Sequence, residues 1–556
     1  MKTVFTNAVF HTMESEGDVC GTIVVEDGVI CALDAPAGSR GELDVDALEL
    51  AGARVVDLGG RHAYPALIDS HLHLLDSVAL DAVGVPVCRV EDGRLEPHDL
   101  AGVEALVRAH LEHAKPGALA VFTSCVPAAL DEGRLPTRSE LDEWSGGGEV
   151  WMMNIDGHSS AGSTAFLKAV GLADAAPESG LLSGALHDAN LGVITEHLSA
   201  SVTPSLLGSG IAHFCNECAS FGIGTVCALE GNDDIPRDRM TELIARLARK
   251  FPLDVRLFPE YMDEAKREAV NPLMGAARVG GCGKWELDGS VGSHSAAFRT
   301  PYNDGSRGEL YFPTEQLEET VSSLAARGFQ VSAHAIGEEA IDQLVGIYGR
   351  LPEDMRAADA AHPRCPRGAD DAPAPCRHRI DHCEFPSPDA VRRICELKPF
   401  VTVQPGYSWM DKRYLHGYEH DLPAATVAQQ VPLRTLASAG VALLGSSDSP
   451  VQSVDPFLQM RGMREFYVEE QSLSAFEALC TYTVNGGRAL GEKKGLLREG
   501  YEASFFTLDD DLLTMPLSGL EGLHACELYL HGKLWKPMPE GLRAFGRLAA
   551  TRARSI

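Results

Sequence analysis

The sequence predicts an α/β protein built on a (β/α)8 TIM-type barrel, with a long insertion after the first barrel strand and a small β-sandwich made from both termini. Three observations predict it. Strand-like and helix-like segments alternate through the middle of the chain, strand-rich segments lie at both ends, and one early connection is too long for a plain loop. Near the N-terminus, Val24, Val25, Val29 and Ile30 flank Glu26-Asp27-Gly28, the composition of a hairpin of β-branched strands around an Asp-Gly corner. A similar pattern returns in KKGLLREGYEASFFTLD and CELYLHGKLW, with His531 and Gly532 at a turn. Pairing of these two ends gives one β unit, residues 1–60 together with 490–540, leaving 541–556 as a C-terminal tail.

Between them, short apolar runs at Tyr64–Ile68, Gly224–Leu229, Asp254–Phe258, Gly283–Asp288, Gln330–Ala333, His378–Asp381, Phe400–Val403 and Val441–Gly445 read as the barrel strands of residues 61–489. Thr241–Lys250, Glu315–Arg327 and Thr426–Ser438 carry a helical pattern. Residues 76–221 form the inserted, lid-like subdomain, and Ala357–Arg377, rich in Pro, Ala and Asp, reads as a loop.

The chemistry concentrates at strand ends. In Asp69-Ser70-His71-Leu72-His73 the two histidines are two residues apart, so on a strand both reach one side and can meet at a divalent ion. A hydrogen-bonded structural pair is the plain alternative. Later runs end the same way: His334 closes VSAH, His382 closes HRIDH, and Asp448 closes LLGSSD. His382 is preferred to His378 because it lies at the end of its strand rather than the start. Lys284 lies on the fourth strand, where an inward amine is costly without a partner. It either pairs with Glu286 or Asp288 or, with a depressed pKa, takes up carbon dioxide to give a carbamate able to bridge two cations. Cys282, two residues before Lys284, and Cys383, beside His382, are potential thiolate ligands, with a buried structural thiol the favoured reading for both.

DSHLH, the Lys strand leading into DGSVGSHSAAF, SAHAIGEEA, HRIDHCEF and GSSDSPV follow the order and spacing of the amidohydrolase superfamily. With NIDGHSSAGSTAFL they resemble its amidohydrolase-3 branch, which includes N-substituted formamide deformylase-like enzymes. The resemblance covers nearly the whole chain. It implies a binuclear centre, usually zinc, in which His71, His73 and Asp448 hold one ion, His334 and His382 the other, and carbamylated Lys284 bridges them. Two departures stand out: Glu286 replaces a usual apolar or aromatic residue, and Glu338 replaces a usual Asp.

From these residues the expected reaction is hydrolysis of an amide-like C–N bond in a small molecule, with an N-acyl or N-formyl compound, a cyclic amide and an aromatic amide as the open substrate classes. Two cations sharing a water lower its pKa toward neutrality, and Asp448 takes up the proton and returns it to the departing nitrogen. His158, in the insertion, is the candidate for substrate or oxyanion contact, with a structural role in the lid as its alternative. Ser290, Ser293, His294, Tyr407 and Trp409 are candidate substrate contacts, with turn or packing roles as their alternatives. An ester or phosphoester hydrolase, a mononuclear deaminase and a non-catalytic binding or scaffold protein are the rival readings.

Composition narrows the partners. With 48 Lys+Arg against 79 Asp+Glu, the net charge of −31 excludes nucleic acid and anionic membrane surfaces as natural partners. The early acidic residues predict no secretory signal, and the 14 cysteines read as reduced thiols, so a cytoplasmic location is expected. Superfamily members often dimerise, which leaves a homodimer open, although no coiled-coil repeat marks an interface.

Overall fold

In the computed structural model, residues 2–34, 52–91, 94–115, 117–274, 277–356 and 376–551 are described. The expected Pro-rich loop therefore lies outside the described residues, apart from Cys376 and Arg377.

The two ends pair as expected, but into one continuous sheet rather than a sandwich. Its eight strands run Lys533–Leu534, Glu527–Leu530, Phe505–Leu508, Arg54–Pro65, Thr3–His11, Ile23–Glu26 and Val29–Leu33, with Val19–Cys20 also on Thr3–His11. The reason is the 12-residue strand Arg54–Pro65. It pairs in parallel with Thr3–His11 on one side and antiparallel with Phe505–Leu508 on the other, so the termini join edge to edge. The Asp-Gly corner is a true hairpin turn, with φ of +51° at Asp27 and +84° at Gly28. Phe5, Phe505 and Tyr529 pack on one face, Phe5 meeting Phe505 edge-on at 5.1 Å.

Eight parallel strands follow in chain order: β1 (Leu67–Leu72), β2 (Ile223–Glu230), β3 (Asp254–Pro259), β4 (Arg278–Glu286), β5 (Gln330–Ala335), β6 (Arg379–His382), β7 (Phe400–Val403) and β8 (Leu443–Gly445). They are buried along nearly their whole length, as parallel strands covered on both faces must be. The hydrogen-bonded ring is not closed: β1–β3 form one sheet and β4–β8 another. At the two seams, other contacts take the place of a ladder. Glu260 Oε1 accepts from the Cys282 amide at 2.8 Å, and the Asp448 amide donates to His71 O at 2.9 Å.

Three elements differ from expectation in ways that matter. The run Tyr64–Ile68 is split, its first residues ending the terminal sheet and the rest opening β1. β4 begins at Arg278, and its pairing with β5 is broken by a bulge between Gly281 and Glu286. The helix expected over Thr426–Ser438 is two short helices, Ala424–Val427 and Leu433–Ser438, because Pro432 cannot continue the first.

The insertion has its own five-stranded sheet, Leu181–Ser183, Ser159–Gly162, Val150–Asn154, Ala120–Cys125 and Gly84–Pro86. Strand alternation gives it two apolar faces: Phe122 and Met152 pack on one, Val121 and Trp151 on the other. The segment expected to be a tail instead forms the helix Leu542–Ala550, whose Ala544 and Leu548 are buried beside helix Pro204–Ser220. Among the described residues, no helix is long and apolar enough to cross a membrane.

Candidate metal centre and active site

The strand-end residues converge. His71 and His73 leave β1 on the same side, and their Nε2 atoms lie 3.2 and 3.3 Å from Asp448 Oδ1. That carboxylate oxygen is buried and has no hydrogen bond. His334 and His382 close the other side, their ring centroids 4.5 Å apart, with His71 and His382 at 4.9 Å.

Three of the four imidazoles are oriented by what the remote nitrogen touches. His382 Nδ1–H donates to Gln404 Oε1 at 3.0 Å, and Gln404 is turned that way because its amide donates to Ser446 Oγ at 2.9 Å. His334 Nε2–H donates to Gly289 O at 3.2 Å, which leaves Nδ1 facing the centre. His71 Nδ1 lies 3.4 Å from Asp381 Oδ1, and Asp381 is itself held by Arg379 at 2.7 Å and by Ser332. Imidazoles fixed in this manner present a lone pair to a common point. His382 and Asp448 also hold positive φ, +68° and +58°, a backbone strain that accumulates at functional sites.

The charges follow from burial and neighbours. Burial opposes protonation of His71 and His73, but the carboxylates of Asp381 and Asp448 beside His71, and of Asp448 beside His73, outweigh it and raise them to about 8 and about 10. Burial pushes His382 down to about 4 and His334 well below the usual imidazole range, the latter helped by His382. Asp448 resists its burial through His71 and His73 and stays well below the ordinary carboxylate range. Four imidazoles and a carboxylate gathered at one point fit a divalent ion with nitrogen and oxygen ligands. A cavity of about 600 Å³ opens above them, walled by Trp151, Met153, His158, Lys284, Glu286 and Asn232 among others.

His158 lies where the insertion reaches over this cavity, its ring 5.1 Å from that of His334 and its Nδ1 3.3 Å from Asp188 Oδ2. Burial opposes its charge, yet Asp188 raises it to about 10. Tyr407 donates its hydroxyl to Asp448 Oδ2 at 2.6 Å, so it holds the central carboxylate instead of offering a stacking face.

The other candidate contacts have protein partners of their own. Ser290 and Ser293 donate to Asp156 Oδ2 at 2.8 and 2.6 Å, tying the loop after β4 to the insertion. His294 stacks on Tyr302 at 4.6 Å and pairs with Asp304 and Asp421. Trp409 donates to Glu465 at 3.0 Å and lies under the Arg461 guanidinium, away from the cavity lining. Lys284 pairs instead with Asp234, its Nζ 2.8 Å from the carboxylate, and neither Glu286 nor Asp288 is its ion-pair partner. Asp288 is occupied by the amides of Ala297, Ile336 and Gly337.

Cys282, for which the sequence favours a structural thiol over a thiolate ligand, has its Sγ 3.4 Å from His71 Nε2, 3.8 Å from His382 Nε2 and 4.0 Å from His334 Nδ1. The signal was its neighbourhood, Gly280-Gly281-Cys282-Gly283, where glycines mark a bulge that reverses the strand's in-and-out alternation. Asp381 and Gln404 were missed because their roles depend on contacts between strands.

Comparison with known proteins agrees with this geometry. Residues 54–534 match the profile of the amidohydrolase family. The chain is 22% identical to the putative amidohydrolase YtcJ of Bacillus subtilis (strain 168), over 96% of this chain and 99% of that protein. It is 21% identical to the N-substituted formamide deformylase of Arthrobacter pascens, over 95% of this chain and 97% of the relative. Its fold resembles that of an uncharacterized metal-dependent hydrolase from Pyrococcus horikoshii OT3, with a TM-score of 0.67 and 20% identity, covering 93% of this chain and 99% of that one. The strand-end histidines, the carboxylate at the end of β8 and this match along most of the chain place it in one group: the chain belongs to the amidohydrolase family and is a hydrolase.

Proposed function

We propose that this hydrolase cleaves a C–N bond of a small amide-like compound, of N-acyl or N-formyl type, at a centre of two zinc ions. The observation that carries the reading is the convergence of His71, His73, His334, His382 and Asp448 at the floor of one cavity. His71, His73 and Asp448 would hold one ion, and His334 and His382 the other. Bound there, the metals supply Lewis-acid polarisation of a carbonyl and a water acidified to near neutrality.

The chain's own groups perform the proton transfers. Asp448, kept ionised by His71 and His73, accepts the proton of the attacking water and delivers it to the leaving nitrogen. Tyr407 fixes the carboxylate through Oδ2 and leaves Oδ1 facing the histidines. His158, charged through Asp188, is placed to donate to a substrate oxygen from the insertion side. Trp151 and Met153 give that wall an apolar surface for the acyl portion.

A panel of N-formyl, N-acyl and cyclic amides, each matched to its ester or phosphoester analogue, tests the reading with the zinc-loaded protein. Faster release of amine than of alcohol from matched pairs is expected. Hydrolysis confined to the ester or phosphoester members would overturn it.

A further inference from the structure

The expected bridge between the two halves of the centre was Lys284, yet the group among the imidazoles is the Cys282 thiol. We propose that Cys282, as a thiolate, is the ligand that joins the two metal positions, in place of a carbamylated lysine. This rests on the metal-centre reading above and identifies one more of its ligands.

Two separate donor sets share this one side chain. His71, His73 and Cys282 have ligand atoms within 4.8 Å of one another, and so do Cys282, His334 and His382. The sulfur is therefore common to the half supplied by β1 and the half supplied by β5 and β6. Thiolate with imidazole is a ligand combination that suits zinc.

The backbone is shaped to put it there. Gly280, Gly281 and Gly283 take φ of +95°, +129° and +61°, conformations that side chains disfavour. A Cβ at Gly281 would lie 2.0 Å from the Leu229 side chain, and one at Gly280 would lie 2.0 Å from Ser332 O. The Cys282 amide is fixed by Glu260 at 2.8 Å. A bulge so tightly determined aims one residue inward, and that residue is Cys282.

Lys284 is turned the other way by the same bulge. Its side chain is about one-third exposed and engaged with Asp234 at 2.8 Å. In this arrangement the amine is engaged by a carboxylate, whereas the side chain in contact with three of the imidazoles is Cys282.

X-ray absorption at the zinc edge of the full-length, zinc-loaded protein tests the assignment, with zinc per chain counted by elemental analysis. The expected spectrum has a sulfur shell near ~2.3 Å, about one sulfur per zinc, beside nitrogen and oxygen at roughly 2.0–2.1 Å. Cys282→Ser should lose the sulfur shell and Lys284→Met should keep it. Should the serine variant not fold, Cys282→Asp retains an anionic donor and should also lose the shell. Stoichiometric zinc with nitrogen and oxygen alone in the wild type, or a sulfur shell that survives both Cys282 substitutions, overturns the thiolate while leaving the metal centre standing. A protein that retains no zinc overturns both.

Discussion

At the scale of single residues, the site is a set of side chains each aimed by a second one. Tyr407 is the clearest case, because its hydroxyl bonds the free edge of Asp448 at 2.6 Å. A hydrogen bond to a charged group contributes about 1.5–3 kcal/mol, so Tyr407→Phe should lower kcat/KM by roughly tenfold or more. The bond favours the ionised carboxylate, and its loss raises the Asp448 pKa. The acidic limb of the kcat/KM profile should therefore move to higher pH, which steady-state kinetics across pH will read; an unmoved limb would argue against the bond's role. Gln404→Leu removes the acceptor of His382 Nδ1–H and should weaken metal affinity about 10–100-fold, measured by competition with a chelator. His71, His73, His334, His382 and Asp448 were legible before the fold because each closes an apolar run, where a barrel gathers its functional groups. Gln404 and Asp381 were not, since their significance lies in a neighbour on another strand.

At the scale of elements, β4 shows how a local irregularity changes chemical identity. A regular strand would project Cys282, Lys284 and Glu286 to one side, the parity behind the ion pair expected of Lys284, whereas its bridging role is what the family resemblance implies. The bulge between Gly281 and Glu286 breaks that parity, placing the thiol among the histidines and the amine on Asp234. Gly280→Ala should destabilise the protein by about 2 kcal/mol or more, since it forces a side chain into a positive-φ position against the Ser332 carbonyl. A lowered denaturant midpoint at unchanged slope is the expected result, and an unchanged midpoint would show that the bulge is dispensable. The strand-and-helix alternation itself was legible to within a few residues over most of the barrel. The glycines were visible too, but nothing local says which way a bulge turns its neighbours.

At the scale of the whole molecule, the barrel and the terminal sheet are joined by buried charge as well as by apolar packing. Lys494, just before the return into the sheet, pairs with Asp254 on β3 and with Glu502. Burial works against the Asp254 charge, but Lys494 holds its pKa well below the carboxylate range. That stability is present above the unfolded carboxylate value of about 3.9 and is lost as pH falls through the folded one. Lys494→Met removes the ammonium from a buried Asp254 that keeps His531 at 3.2 Å, and should cost about 3 kcal/mol, with acid unfolding moved to higher pH; equilibrium unfolding at several pH values checks both. Pairing of the two termini was foreseen from composition, whereas their fusion into one sheet depends on Arg54–Pro65 serving both sides at once. The claim on which everything else depends is that the gathered side chains hold metal for hydrolysis. The direct test strips the full-length protein with a chelator, restores zinc, and follows amine release from the amide panel alongside Asp448→Asn. The account predicts that release disappears on stripping, returns with zinc, and falls at least about 10²-fold in the variant. Undiminished amine release from the stripped protein, or from Asp448→Asn, would contradict it.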